Sequence, residues 1–352
     1  MTKIAVFLPN WVGDVVMATP MLRALREHVG EQGRILGVMR PHVAEVLAGT
    51  TWLDEQLLYD PRSPDLRERG WALVRRLRRE RADLAVLLPN SWRTALLAWA
   101  GGAKDRLGYA RGGRGLLLTR TLHPPKADGR RLPVSAVDYF LDLAYAAGCE
   151  VAAREVQLAT LPADERAADA VWRKFRLPPG RQVVVLNSGG AFGAAKLWPT
   201  PYFSSLASRL ASDDRRHVLV LCGPHERALA AEIERGAAHP RVQSLADEHL
   251  SIGLSKACVR RAAAMVTTDS GPRHFAAAFG VPVVTLFGPT HIGLSENYHS
   301  QAIHLQRKLD CVPCQRRTCP LGHHRCMRDL SIDEVYNAVK QLLPSRATVQ
   351  AA

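Results

Sequence analysis

The sequence predicts an α/β protein made of two doubly wound halves, each built on a parallel sheet. Three observations carry that reading. Apolar runs of four to six residues recur along the chain; a Gly- or Pro-rich turn and a longer stretch of helical spacing follow each; and the rhythm breaks once, near the middle. The runs are almost continuously apolar rather than alternating, which a sheet covered on both faces requires.

In chain order, strands are expected at 4–8, 35–38, 84–88 and 106–109, then at 183–186, 218–221, 265–267 and 283–287. Helices are expected at 15–28, 201–212, 225–237 and 274–279. Segment 156–182 breaks the pattern with Pro162-Ala-Asp-Glu-Arg and Leu177-Pro-Pro-Gly. The reading therefore divides the chain into residues 1–165, 166–330 and a closing helix and tail at 331–352. A length of 352 residues suits two domains of roughly 150 each.

Composition narrows the classes of function. Hydrophobic residues at 47% and charged residues at 23% exclude a disordered chain. Lys and Arg number 47 against 33 acids, a net charge of +14, so the expected partner is anionic: nucleic acid, a phosphorylated glycan or an acidic membrane face. Aromatics at 6%, with no recognised binding motif, count against nucleic acid. The longest uncharged stretch, 275–294, is interrupted by Gly280, Pro282, Gly288 and Pro289, and reads as helix, turn and strand rather than a membrane span. The first residues read as a strand and not a cleaved leader. Seven cysteines, an odd number, argue against a secreted disulfide scaffold, so a cytoplasmic location is expected.

Ligands of open α/β sheets sit beyond the carboxyl ends of the strands. After the first strand comes Pro9-Asn10-Trp11-Val12-Gly13-Asp14, and Asp14 reads either as compensation of a helix start or as a general base at a cleft mouth. Position alone does not choose. After 183–186 comes Asn187-Ser188-Gly189-Gly190-Ala191-Phe192-Gly193-Ala194-Ala195-Lys196, a loop able to wrap a phosphate with Lys196 as its point charge. After 218–221, Glu226 opens a helix as dipole compensation or as an acceptor for ribose hydroxyls. After 265–267, Asp269-Ser270-Gly271-Pro272-Arg273-His274 combines a candidate anion turn with a histidine in reach, or simply caps a helix. No Walker sequence, G-x-G-x-x-G, Asp-x-Asp or G-x-S-x-G occurs, which disfavours kinase, dinucleotide, DxD-metal transferase and serine hydrolase readings.

At these residues the chain resembles the ADP-heptose–lipopolysaccharide heptosyltransferases, most of all the heptosyltransferase II branch. The matching pieces are Trp11-Val12-Gly13-Asp14-Val15-Val16-Met17, Leu88-Pro89-Asn90-Ser91, Lys196-Leu197-Trp198-Pro199 closing the Gly-rich loop, Gly223-Pro224-His225-Glu226, and Asp269-Ser270-Gly271 with His274. They keep the family's order over about residues 3–343. Leu197, where many members carry Arg, and Pro272-Arg273, where an apolar residue commonly precedes the histidine, depart from the pattern.

The resemblance implies a GT-B fold: two Rossmann-like domains facing across a cleft, with the helix at 332–343 crossing back. It implies an inverting, metal-independent transferase needing no cofactor, at the cytoplasmic face of the inner membrane. ADP-heptose is the implied donor and the heptosyl-Kdo-lipid A inner core the acceptor. Asp14 would be the base. Ser188, Lys196, Glu226, Asp269, Ser270, Gly271 and His274 would face the donor, and Asn10, Trp11, Asn90, Arg111, Arg114 and Arg120 the acceptor or the anionic membrane. The alternatives are heptosyltransferase I, a related transferase using another nucleotide sugar, or a GT-B epimerase.

Two further features stand apart. The arginines of 66–81 read as the solvated face of a helix, whereas 106–131 holds seven basic residues and one acid, Asp128. Cys311, Cys314, Cys319 and Cys326 suggest a structural zinc or iron–sulfur site, free thiols or a bridge, and their spacing leaves all three open.

Overall fold

Runs of Val, Ile and Leu with no polar alternation bury both faces of a strand, and parallel pairing of such strands needs a crossover helix at each step. The protein, a computed structural model, follows that logic twice. It describes residues 2–127, 130–179, 182–190 and 192–343; Asp128, Ala191 and the tail from 344 lie outside the described residues. Two units divide the chain, residues 1–159 with 293–297, and residues 160–292 with 298–352.

In unit 1 the strands are β1 (Lys3–Phe7), β2 (Arg34–Met39), β3 (Glu55–Leu58), β4 (Leu84–Leu87), β5 (Asp105–Tyr109) and β6 (Arg120–Leu122), in the parallel order β3-β2-β1-β4-β5-β6. A small antiparallel pair follows, β7 (Lys126–Ala127) with β8 (Arg130–Arg131). The helices are α1 (Val12–Met17), α2 (Thr19–Val29), α3 (Pro41–Ala44), α4 (Gly70–Glu80), α5 (Trp92–Ala100) and α6 (Ala136–Ala147). Unit 2 repeats the plan with β9 (Val183–Asn187), β10 (His217–Leu221), β11 (Val242–Ser244), β12 (Ala264–Thr268), β13 (Val283–Phe287) and β14 (Ala302–Gln306), ordered β11-β10-β9-β12-β13-β14. Its helices are α7 (Pro162–Lys174), α8 (Thr200–Ser212), α9 (Arg227–Ala237), α10 (Ile252–Arg260), α11 (Arg273–Ala278), α12 (Arg325–Arg328) and α13 (Ile332–Leu342).

All eight expected strands are present, and all are inner strands. Of the six described strands not foreseen, β3, β6, β11 and β14 are the edges of the two six-stranded sheets, and β7 and β8 form the small pair. An edge strand is covered on fewer sides, so it is short or polar: β6 reads Arg-Thr-Leu and β14 is half-buried throughout. The expected helix at 15–28 is two helices. Pro20 in the first turn of α2 has no amide proton to continue α1, and Thr19 Oγ1 instead donates to Val16 O at 2.7 Å.

The division falls a few residues earlier than the sequence reading placed it. Glu165 accepts from Arg260 at 3.0 Å and Arg261 at 2.6 Å, and Asp169 from Arg261 at 2.8 Å, which ties α7 to α10. Pro162 and Glu165 therefore open the second unit. The closing helix α13 packs against α8, β12 and β13. In α4, Leu73, Val74 and Leu77 enter the core while Arg75, Arg76, Arg78 and Arg79 face solvent, the amphipathic helix expected.

Candidate functional site

Each sheet order reverses direction once, between β1 and β4 in unit 1 and between β9 and β12 in unit 2. The crevice at such a reversal is where doubly wound sheets take ligands. The motifs singled out in the sequence follow these strands, or β10 next to them.

In unit 2, β9 ends in Asn187 and Ser188 follows it, both buried, and Asn187 Nδ2 donates to Thr267 Oγ1 at 3.0 Å and Ser270 Oγ at 2.8 Å. The loops after β9 and β12 are joined by one ion pair. Lys196 Nζ donates to Asp269 Oδ2 at 2.6 Å and to Asp269 O at 2.8 Å, with both side chains buried. Thr290 Oγ1 donates to the same carboxylate at 2.7 Å, and Arg273, fully buried, stands 3.6 Å from its other oxygen. Burial alone would raise the Asp269 pKa; Lys196 and Arg273 overcome it and hold the carboxyl below its ordinary value. Lys196 thus reaches the cradle already committed to a carboxylate, and it also lies 4.6 Å from the Phe192 ring. The loop is pinned from outside as well. Ala195 N donates to Arg317 O at 3.0 Å and Ala195 O meets His324 Nε2 at 2.8 Å.

Glu226 Oε2 accepts from Gly223 N at 2.8 Å, so it caps its own helical start. The carboxylate lies so close over Gly189 that a Cβ there would stand 2.0 Å from Oε1. A side chain at position 189 would have to displace that carboxylate. His274 lies in the first turn of α11. It is buried, and burial first, then the Arg273 charge, push its pKa well below 6.5. Its backbone N donates to Gly271 O at 3.0 Å in the turn that starts α11.

In unit 1, Asp14 is the third residue of α1, half-exposed, after buried Gly13. Trp11 precedes the helix and is exposed, and Asn10 accepts from Arg40 Nε at 3.4 Å. Beyond β4, Asn90 Nδ2 donates to Tyr139 OH at 3.0 Å and Asn90 Oδ1 accepts from Arg114 Nη2 at 3.0 Å. Arg114 departs from its expected role. It is fully buried, donating to Tyr109 O at 3.0 Å, to Leu87 O at 3.5 Å and to Pro89 O. Its charge holds Asn90 and the strand ends and is withdrawn from any surface ligand. Arg111 is half-exposed, and exposed Arg120 donates to Ala146 O.

The four clustered cysteines border one small cavity with His323 and His324. All seven thiols are free, and among the described residues no three Cys, His, Asp or Glu side chains are placed to hold a metal ion. Burial, then the three neighbouring cysteines, push the Cys326 thiol up to about 11. Sequence reasoning missed Thr290, the buried Arg273 and the Ala195 clamps, because no linear spacing announces them.

The family model for glycosyltransferase family 9 (heptosyltransferase) matches residues 70–325. Lipopolysaccharide heptosyltransferase 2 of Escherichia coli K12 is 27% identical over 97% of this chain and 98% of its own. Lipooligosaccharide heptosyltransferase 2 of Campylobacter jejuni serotype O:6 is 24% identical over 97% and 99%. The solved E. coli ADP-heptose LPS heptosyltransferase II covers all of both chains at 23% identity with a TM-score of 0.79, which shows the GT-B fold.

Two outcomes follow from this packing. Arg114→Met leaves three backbone carbonyls of the strand ends without their charged donor, so urea unfolding should show a loss of about 3 kcal/mol or more. His274 takes up a proton in the unfolded chain but not in the folded one, so stability is complete above 6.5 and declines as pH falls below it. The slope for one such group is up to about 1.4 kcal/mol per pH unit. His274→Gln should flatten the urea midpoint between pH 6.5 and 5, leaving only what His217 and His299, also lowered by burial, contribute.

Proposed function

The chain belongs to glycosyltransferase family 9, the heptosyltransferases, and on that premise we propose that it moves L-glycero-D-manno-heptose from ADP-heptose to the heptosyl-Kdo-lipid A inner core of lipopolysaccharide. The observation that carries the reading is the pair of strand-end constellations at the two sheet reversals, Asp14 in one unit and the Lys196–Asp269 cradle in the other. The names of the full-length relatives favour the second-heptose step over the first.

Direct inverting displacement asks for a base at the acceptor hydroxyl, charge stabilisation at the leaving diphosphate, and alignment of the two. Asp14 takes the hydroxyl proton; half-exposed at a glycine turn, it is open to an incoming sugar. The diphosphate is met by the Gly-rich loop with Lys196, and by Ser188, Ser270 and Gly271. Asp269 fixes the ammonium position rather than touching the anion. Glu226 uses one oxygen as a helix cap, and its carboxylate receives the ribose hydroxyls. Asn10, Trp11 and Asn90 face the acceptor, with Arg114 positioning Asn90. The charge that grows on the leaving group is answered by these protein donors, so the reaction is proposed to run without a metal and with no cofactor. The acceptor is lipid-bound, which places the protein at the cytoplasmic face of the inner membrane. Among the described residues no helix is long and apolar enough to cross it.

Product analysis tests the reading. Incubation with ADP-heptose and defined truncated cores should yield ADP and an acceptor heavier by one heptose, with the core that already carries one heptose preferred. Asp14→Asn should keep the fold and lose roughly 100-fold or more in turnover. Lys196→Met should weaken ADP binding about tenfold, measured by calorimetry. Near-normal turnover in the first variant removes Asp14 as base, and unchanged ADP affinity in the second removes the cradle.

A further inference from the structure

One face of α5 is apolar and open to water. Trp92, Leu96 and Trp99, spaced by four and three, are 49%, 50% and 56% exposed, whereas Ala95, Leu97 and Ala98 enter the core. The turn Arg114–Leu117 packs against α5, and its Leu116 is 90% exposed. An exposed leucine alone is ordinary. Two tryptophans and two leucines on neighbouring elements mark an interaction surface.

Its surroundings are cationic. Arg93 lies on α5 itself, and Arg78 Nε donates to Ala100 O at 2.7 Å at the helix end. Trp92 Nε1 donates to Gly112 O at 2.6 Å, which brings the loop carrying Arg111 alongside. From residue 84 to 127 the chain has seven basic residues against one acid, Asp105, and only Arg114 of the seven is buried.

Indole rings settle at the headgroup level of a bilayer, leucines reach the acyl boundary, and arginines meet lipid phosphates. We infer that the α5 face docks the protein on an anionic membrane surface. A second copy of this chain fits worse, because a two-fold contact sets the same arginines against one another. The inference rests on the lipid-bound acceptor proposed above. Vesicle partition needs no sugar transfer, so docking and transfer fail separately.

The test uses the full chain with phosphatidylcholine vesicles, with and without phosphatidylglycerol. The wild type should sediment with the anionic vesicles, less so at high salt, and its tryptophan emission should shift to the blue. Leu96→Ser/Trp99→Ser should cut partition about tenfold or more, and Arg93→Glu should cut it in the anionic vesicles. Both variants should retain circular dichroism and transfer to a delipidated acceptor. Equal binding to neutral and anionic vesicles, or unchanged partition in the variants, overturns the inference. So does a lipid-free dimer that the double variant abolishes. If the double variant unfolds, Arg93→Glu on the exposed face decides alone.

Discussion

The buried pair of Lys196 and Asp269 is the constraint around which unit 2 is organised. Neither charge is tolerable there alone, since desolvation costs more than a single hydrogen bond returns. Each must therefore be brought to the other, and with them the Gly-rich loop after β9 and the turn after β12. Thr290 and Arg273 complete the carboxylate's surroundings from β13's far side and from α11. What reads in the sequence as one lysine for a phosphate is thus a fixed fork of four residues. Its ammonium position is set before any ligand arrives.

Unit 1 solves the matching problem with a different charge. Its reversal point holds an acid, Asp14, after β1, while the loop after β4 is steadied by a guanidinium that reaches no solvent. Arg114 donates to carbonyls at the ends of β4 and β5, and stacking of Tyr109 on Tyr139 at 3.7 Å walls the same region. One architecture therefore carries a half-exposed carboxylate in one unit and an enclosed ion pair in the other. On the proposed reading, the first would meet the acceptor hydroxyl that attacks the sugar and the second the diphosphate that leaves it.

How much was legible follows burial. Inner strands such as Val183–Asn187 are apolar on both faces and declare themselves, while the edge strand Ala302–Gln306 has polar His304 and Gln306 and does not. Asp14, Lys196 and Asp269 were found because glycine turns at strand ends are visible in a linear text. Their partners were not, since Lys196 and Asp269 are 73 positions apart and arginine in a basic stretch looks the same whether exposed, as Arg120, or buried, as Arg114. The burial of His274 was not legible either, because a helix start reveals nothing of what covers it.

The clamps on Ala195 have a meaning in time as well as space. Arg317 and His324 grip the backbone beside Lys196 from the far end of the chain, later than the last strand, β14. During synthesis the sheet of unit 2 has all its strands before those two residues emerge, and domains form as their chain appears. A nascent protein can therefore own a complete sheet and still lack a set cradle. A chain cut short near residue 310 would lose these clamps and, with α13, the buried Val335 and Val339 that pack the sheet of unit 2 from that side.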